Sequence, residues 1–437
     1  MTRSTLSCVF NCVIIVLVAA AGARGQATSR AVFVSNNGNL EGSVSAFTVN
    51  GDGTLNFVNR VVTGSRPNTS VDCAGCNAYR ISISPNGRYL ATGHPAGNLD
   101  GVSVLQVAAN AAVSLVTQVA IVSGLGGPLD ITWLDNDYLA VTRTESSPNR
   151  VVIYQFNPGV PSITEIRTYD VGTFSTYLAV DSSRSHLYVG DTGSGDRIFV
   201  FTISPGGILG AVQTFFSTPY YPIGLHVSPD GSKLYAGCGI SGSGHYVTGF
   251  SVDGTGAITP MAGSPFTSAG SSPKVVAFSG DSHYLFVGHG TDSTARSFAI
   301  DAGTGNLTYT GASFSVGTQG SLGDLTVLDN LLLVTDNFNT PTGVYSFTIA
   351  ADGTFTQNGP KVPSNGISAR GLAVWHPCPV KGDVNCDCVV DLGDVDPFVN
   401  TVLSQTGSPC ALSEADVNSD SLLNGADIAD FTHLVAP

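Results

Sequence analysis

Oxygen-bearing side chains recur at a fixed spacing in two stretches near the carboxyl terminus. In each stretch they stand at positions 1, 3, 5, 9 and 12, and position 7 offers a backbone carbonyl. The first set is Asp383, Asn385, Asp387, Val389, Asp391 and Asp394, and the second is Asp416, Asn418, Asp420, Leu422, Asn424 and Asp427. Calcium requires six to eight hard oxygen ligands around one ion. The two matching sets therefore predict two bound calcium ions.

A second group of reactive side chains stands at the ends of short apolar runs along the rest of the chain. One kind of apolar run is preceded by a charged residue: Arg80, Asp130, Lys274, Asp324 or Arg370. A second kind ends in a charged residue or a histidine: His94, Arg143, Asp191, His289 or Asp336. Mixed acids and bases in one cleft can bind an anionic or sugar-like ligand and shift one another's pKa. In a catalytic interpretation, His94 or His289 acts as general base and Arg80 or Arg370 holds a carboxylate. The alternative is that these charges pair across a water-filled channel and keep it solvated.

The runs that end in those residues form a sevenfold repeat. The copies are VFVSN, LATGH, LAVTR, LYVGD, LYAGC, LFVGH and LLVTD, and they start 47 to 58 residues apart. The clearest unit, Gly224 to Gly237, has a Ser-Pro-Asp-Gly turn between two strands of alternating polarity, where Pro presets φ and Gly tolerates a positive φ. A period of this length fits four strands per unit, so the chain is predicted to be all-β, a seven-bladed β-propeller with four-stranded blades.

A strand from the far end of the chain closes the predicted ring. Six copies are preceded by another short strand, but the first is not, and the missing strand follows the seventh copy at Gly371 to Pro377. In such a blade the start of the innermost strand and the end of the second strand lie on the same face of the ring, so the charged residues are expected at one channel mouth. The fifth blade has Gly224 and Cys238 at these places, and we expect it to contribute least to the chemistry.

The repeat phrase resembles the seven-bladed lactonase-like propellers and the related YVTN-repeat surface proteins over roughly residues 30–376. The resemblance rests on LYVG and on passages such as FSVDGTGAITPMAGSPF, and it implies hydrolysis of a sugar lactone. Lactonases typically carry His in Pro-Arg-His phrases at the inner-strand starts. Here Tyr79-Arg80, Pro273-Lys274-Val275 and Ala369-Arg370-Gly371 occupy those places without a His, and the segment from Asp191 to Arg197 is similar to Asp-Leu-Gly-x-Asp-Arg with one residue inserted.

The composition changes abruptly after Cys378, where ten acidic residues face a single basic one, Lys381. Each oxygen-rich set runs into a helix-like segment, and the pair resembles a type I dockerin, a small α-helical calcium module. That resemblance implies a cohesin-like partner. Position 6 of each loop, usually Gly, is Cys388 in the first set and Ser421 in the second.

The amino terminus has the pattern of a secretory signal peptide. Arg3 precedes an apolar core from Val13 to Ala21, and small residues lead to a cleavage site after Gly25. The alternative is an uncleaved membrane anchor, for which the apolar run is short. Export favours disulfides, and we expect a local one between Cys73 and Cys76.

These observations predict three parts: a signal peptide (1–25), a propeller (26–376) and a dockerin-like domain (377–437). The leading hypothesis is a secreted or cell-surface propeller that binds a ligand or a protein at its channel mouth and docks to a partner through the calcium-dependent tail. One alternative is a hydrolase of sugar-acid lactones, and another is a purely structural envelope protein. Clustered Lys and Arg, which nucleic-acid binding requires, are missing from the sequence.

Overall fold

The computed structural model describes residues 29–435 apart from 67–72, 74, 96–99, 122–126, 145–147, 194–195, 218–220, 240–244, 319, 377–380, 385–389, 391, 406–411, 413, 419 and 421. The predicted signal peptide lies outside the described residues. Within them, neither helix of the carboxyl-terminal tail nor any other helix combines the length and the hydrophobicity that crossing a bilayer requires.

Seven antiparallel sheets of at least four strands form the blades, as predicted. The first blade contains β1 (Ala31–Asn37), β2 (Glu41–Val49) and β3 (Leu55–Ser65). The second blade contains β4 (Ile81–Ile83), β5 (Tyr89–His94), β6 (Gly101–Val107) and β7 (Val113–Ala120). The third blade contains β8 (Pro128–Trp133), β9 (Tyr138–Arg143), β10 (Arg150–Asn157) and β11 (Ser162–Asp170).

The fourth to seventh blades follow the same order, with a short extra strand in the fifth and the seventh. They contain β12 (Ser175–Val180), β13 (His186–Asp191), β14 (Arg197–Ser204) and β15 (Ile208–Ser217); β16 (Pro222–Val227), β17 (Lys233–Cys238), β18 (Tyr246–Val252), β19 (Ile258–Pro260) and β20 (Phe266–Thr267); β21 (Pro273–Phe278), β22 (Tyr284–His289), β23 (Thr294–Ile300) and β24 (Leu307–Ser315); and β25 (Leu322–Leu328), β26 (Leu331–Asp336), β27 (Gly343–Ile349), β28 (Phe355–Gln357) and β29 (Val362–Pro363). The last strand is β30 (Ala369–Trp375).

The ring closes through β30, which pairs antiparallel with β1 and completes the first blade. The register joins Val34 to Leu372 and Val32 to Val374. The predicted closing strand is therefore confirmed. Because the strand comes from the far end of the chain, it ties the first blade to the last and leaves no open sheet edge at the junction.

Apolar side chains fill the space between neighbouring blades. One buried cluster lies at each junction, and the cluster between the seventh and the first blade includes Leu333, Val344, Val32 and Phe47. Burial of these side chains, at about 25 cal/mol per Å² of apolar surface, holds each blade to the next. The ring thereby fixes the seven innermost strands around a common axis.

A serine-centred turn connects the first two strands in the second, fifth and sixth blades. In the fifth blade the Ser228 hydroxyl accepts the N–H of Lys233 at 2.9 Å, and the Gly231 N–H donates to the Ser228 carbonyl. Gly231 has φ 70°, as the Pro-Asp-Gly sequence predicts. Ser84 and Ser279 accept the N–H groups of Tyr89 and Tyr284 in the same way.

The CAGC segment contains the disulfide predicted for it, between Cys73 and Cys76. Cys238, at the end of β17, is a buried free thiol whose sulfur lies 3.2 Å from the Thr248 hydroxyl.

The described part of the tail contains two similar halves. A 3-10 turn (Leu392–Asp394) leads into α1 (Val395–Ser404), and α2 (Asp427–Val435) follows the second oxygen-rich set. Phe398 of α1 stacks on Phe431 of α2 with ring centroids 3.9 Å apart. Both rings are buried, and with Val384 and Ala415 they form the core of the tail.

Candidate functional site

The inner strands enclose a cavity of about 200 Å³ at the mouth end of the channel. Polar side chains from several blades line it: Arg80, Asp130, Tyr177, His226 and Asp324. Arg80, Asp130 and Asp324 were predicted as ligand-binding residues, and the structure brings them together. The cavity is therefore polar and carries both signs of charge.

Arg80 and Asp324 form an ion pair across the channel mouth. The guanidinium donates to a carboxylate oxygen at 2.7 Å, and the side chains are 13% and 9% exposed. The two Asp324 oxygens also accept the backbone N–H groups of Leu325 (3.0 Å) and Leu372 (3.2 Å). Since the pair joins the second blade to the seventh, its geometry depends on the closed ring.

Asp130 is held by backbone donors on both carboxylate oxygens. One oxygen accepts the Ile131 N–H at 2.9 Å and the other accepts the Leu178 N–H at 2.8 Å. Burial raises the pKa of Asp130 to about 6, and the nearby Arg80 limits the rise. Asp130 therefore holds its proton to a higher pH than an ordinary aspartate does.

Two further cations lie beside the cavity. The Lys274 ammonium donates to the Leu322 carbonyl, and burial, reinforced by Arg370 and Arg80, lowers its pKa to about 7. The Arg370 guanidinium lies 4.4 Å from the Tyr79 ring centroid and donates to the Tyr79 hydroxyl at 2.7 Å. The mouth can therefore present positive charge to an anionic group.

His226 is a cavity residue that the sequence analysis missed. Leu225 and Val227, its neighbours on β16, pack in the core between the fourth and fifth blades, so His226 lies on the opposite strand face, toward the sixth blade. It is among the residues that line the cavity. Its Nδ1 atom is buried without a hydrogen-bond partner, and its ring lies 5.7 Å from that of Phe278. The fifth blade, expected to contribute least to the chemistry, thus places a titratable side chain at the cavity, and the alternation of Leu225, His226 and Val227 was the signal that could have found it.

The residues that end the second strands share the predicted edge but not the cavity. Pairing of Pro128 with Arg143 and of Pro273 with His289 places these ends beside the inner-strand starts. The side chains of His94, Arg143, Asp191, His289 and Asp336 are nevertheless at most 2% exposed. They lie within the blades, and none is among the described residues that line the channel cavity.

The two buried histidines are bound to hydroxyl and carbonyl groups that lie outside the cavity. His94 Nε2 lies 2.8 Å from the Ser103 hydroxyl. The His289 ring nitrogens lie 3.0 Å from the Ser268 carbonyl and 3.2 Å from that of Thr294. Burial lowers the pKa of each imidazole to about 4. Neither geometry gives these candidate general bases contact with the cavity.

The buried charges at the other second-strand ends bind groups of the protein itself. Arg143 pairs with Glu165 at 2.8 Å, and Asp336 pairs with Lys361 at 2.6 Å. One oxygen of Asp191 accepts the N–H groups of Thr173, Phe174 and Gly193, while its other oxygen is buried without a hydrogen-bond partner among the described residues. The ion pairs account for the charges of Arg143 and Asp336 without a ligand.

The described residues of the second oxygen-rich set lie close together. The N–H of Asp420 approaches Oδ1 of both Asp416 (3.1 Å) and Asn418 (2.9 Å), so these oxygens converge. The buried Asp427 carboxylate accepts the N–H groups of Asn418 and Asn424. Carboxylate and amide oxygens converging in this way suit a hard cation such as calcium.

The first set can be compared only at its two ends. Asp383 and Asp394 are fully buried, and Asp394 accepts the Val384 N–H at 2.7 Å. The predicted ligands Asn385, Asp387, Val389 and Asp391 lie outside the described residues. Among the residues that are described, no group of three or more His, Cys, Asp or Glu side chains is clustered as a metal site.

Comparison with known proteins agrees with this architecture. A family model described as a lactonase with a seven-bladed β-propeller matches residues 222–322, which span the fifth and sixth blades. No curated protein matches the chain significantly.

Solved structures of similar fold cover most of the chain. The periplasmic gluconolactonase PpgL of Pseudomonas aeruginosa is 18% identical, with a TM-score of 0.62 over 79% of this chain and 99% of that one. A putative 6-phosphogluconolactonase from Bacteroides uniformis is 14% identical, with a TM-score of 0.65 over 80% and 100%. One from Bacteroides fragilis is 14% identical, with a TM-score of 0.61 over 80% and 98%. The fold of this chain is therefore that of a lactonase-like seven-bladed β-propeller.

Proposed function

We propose that the chain hydrolyses a sugar-acid lactone in the channel cavity. The observation that carries this proposal is the Arg80–Asp324 pair, with Asp130, Lys274 and Arg370 around it, at the mouth of a lactonase-like propeller. Proteins of similar fold carry the names gluconolactonase and 6-phosphogluconolactonase. The lactone hydrolase, an alternative at the level of sequence, thus has more support than the ligand-binding propeller.

The cavity suits a small polar substrate. Its volume of about 200 Å³ is below the roughly 300–1,000 Å³ that drug-sized ligands occupy, which favours a single five- or six-membered ring. Arg370 and Arg80 can hold a substrate carboxylate or the oxyanion that forms when water attacks the lactone carbonyl. Burial strengthens these interactions because the local dielectric is low.

A panel of aldonolactones, followed by acid release in a pH-stat, tests this function. Arg370→Met should lower kcat/KM about tenfold or more, because a hydrogen bond to a charged group contributes about 1.5–3 kcal/mol. Arg150→Met is the matched control, since Arg150 pairs with Asp170 on the surface, where the two side chains are 34% and 65% exposed. Absence of turnover on every lactone would reject the proposal.

A second function, docking through the tail, is favoured by the loop from Asp416 to Asp427. We propose that Asp416, Asn418, Asp420, Leu422, Asn424 and Asp427 hold one calcium ion and that the first set holds another. The ion would order the loop against α2, and the ordered tail would bind a cohesin-like partner outside the cell. The convergence of the Asp416 and Asn418 oxygens supports this proposal.

Hydrogen–deuterium exchange on the full-length protein tests the calcium proposal. Adding EDTA should accelerate exchange in α2 and leave β16 unchanged, because only the tail would lose its ion. Asp427→Asn should reproduce the EDTA effect in calcium, whereas Asp352→Asn, on an exposed propeller turn, should not. Equal protection of α2 with and without calcium would contradict the proposal. An immobilised cohesin panel, probed with and without calcium, then tests docking.

A further inference from the structure

We infer that His226 is the general base that activates water for attack on the lactone carbonyl. The inference rests on the proposed lactone hydrolysis and assigns a residue that was not among the candidates from the sequence. The first observation is the position of His226, which lines the channel cavity together with Arg80 and Asp324.

The carboxylates in the cavity are already committed. Both oxygens of Asp130 accept backbone N–H groups, and both oxygens of Asp324 do the same, with the Arg80 guanidinium in addition. Hydrogen bonds to a carboxylate stabilise its charged form. A water molecule in the cavity would therefore meet carboxylate oxygens that each already accept a hydrogen bond.

One nitrogen of the His226 imidazole is not committed in this way. In the described part of the chain its Nδ1 atom has no hydrogen-bond partner, although it is buried. Burial lowers the pKa of His226, and the charge of Asp324 and a backbone hydrogen bond at Val276 oppose that effect only in part. Arg80, Asp130 and Tyr177 also line the cavity, and Lys274 and Arg370 lie beside it.

Gly224, two residues before His226, lets β16 pack closely against β21. Gly224 has φ 63°, and a Cβ atom there would lie 2.3 Å from the Lys274 carbonyl oxygen. A larger residue would be strained at this position. Gly224 therefore fixes β16, and with it His226, close to the sixth blade.

The step balances without a co-reactant. The imidazole takes one proton from water while the water oxygen bonds to the lactone carbonyl carbon, and the carbonyl oxygen becomes an oxyanion beside Arg80. When the intermediate collapses, the bond from the carbonyl carbon to the ring oxygen breaks. The leaving alkoxide takes the proton from the imidazolium, which regenerates the neutral base and gives the open hydroxy acid.

Kinetics of His226→Ala and His226→Gln on the best aldonolactone test this role. Both should lower kcat about 10²- to 10⁴-fold, the usual contribution of a general base, with KM changed little. Free imidazole should partly restore the kcat of His226→Ala and should leave the kcat of the wild-type protein unchanged. The acid limb of the wild-type kcat/KM profile should lie below pH 6.5 and disappear in both variants.

Two controls separate a chemical role from a structural one. His283→Ala removes a surface histidine that is 65% exposed and should leave kcat unchanged. Thermal melting shows whether either His226 variant is folded. Folded variants with wild-type kcat would overturn the inference and leave the lactonase proposal standing. A wild-type protein without activity on any lactone would overturn both.

Discussion

Acid should weaken the propeller because it forces a proton onto His94. This imidazole is fully buried and has a pKa of about 4, whereas an unfolded histidine has a pKa near 6.5. The unfolded chain therefore binds the proton first, and stability that is present above pH 6.5 is lost as the pH falls toward 4. At about 1.4 kcal/mol per pH unit, the loss from this one residue is about 2 kcal/mol at pH 5 and about 3 kcal/mol at pH 4.

His94→Gln isolates that contribution. Glutamine can keep the hydrogen bond to the Ser103 hydroxyl but does not titrate. The measurement is urea unfolding at pH 7.5 and at pH 5.0, followed by far-UV circular dichroism. Between these two pH values the free energy of unfolding should fall for both proteins, and the fall should be about 2 kcal/mol smaller for the variant than for wild type. His283→Gln, at an exposed site, should fall as much as wild type. An equal fall for His94→Gln and wild type would refute the argument.

Two further predictions concern packing. Gly224→Ala should destabilise the propeller more than Gly231→Ala. Both residues have a positive φ, which costs alanine about 1–2 kcal/mol. At Gly224 a Cβ atom would also lie 2.3 Å from the Lys274 carbonyl oxygen, whereas Gly231 faces open space. Urea unfolding of the two variants measures the difference, and equal midpoints would contradict it. Phe431→Ala should unfold the tail, because loss of a buried Phe costs about 3–5 kcal/mol and the ring stacks on Phe398. Limited proteolysis should then remove the tail and leave the propeller intact, and an uncleaved variant would show that the stack is dispensable.

The blades were predictable because their information is local. Alternating apolar residues on either side of a short polar turn recur along the chain, with Ser-Pro-Asp-Gly in the fifth unit as the clearest turn, and the spacing of the copies indicates how many strands each unit holds. The closing strand could also be found, since the first copy lacks its inner strand. The register confirms both predictions.

Side-chain direction at the channel mouth was harder to predict, and the physical reason is a recurring bulge. The pairing of inner and second strands shifts register near the mouth in six blades. In the fifth blade the extra residue is Gly224, and in the sixth it is Lys274. A bulge redirects the side chains that follow it, so strict alternation counted from the strand start gives the wrong face. Residues at one edge, such as His289 and Lys274, therefore point to different surroundings.

Charge balance in the tail adds a separate argument for a bound cation. The sequence after Cys378 has ten acidic residues and one lysine, yet Asp383, Asp394 and Asp427 are fully buried. Burying a carboxylate costs free energy unless it is paired or hydrogen-bonded. Backbone N–H groups supply part of the compensation to Asp394 and Asp427, but a single lysine cannot neutralise this many acids. The calcium ions proposed above would add positive charge here, and carboxylate and amide oxygens are the donors that calcium prefers.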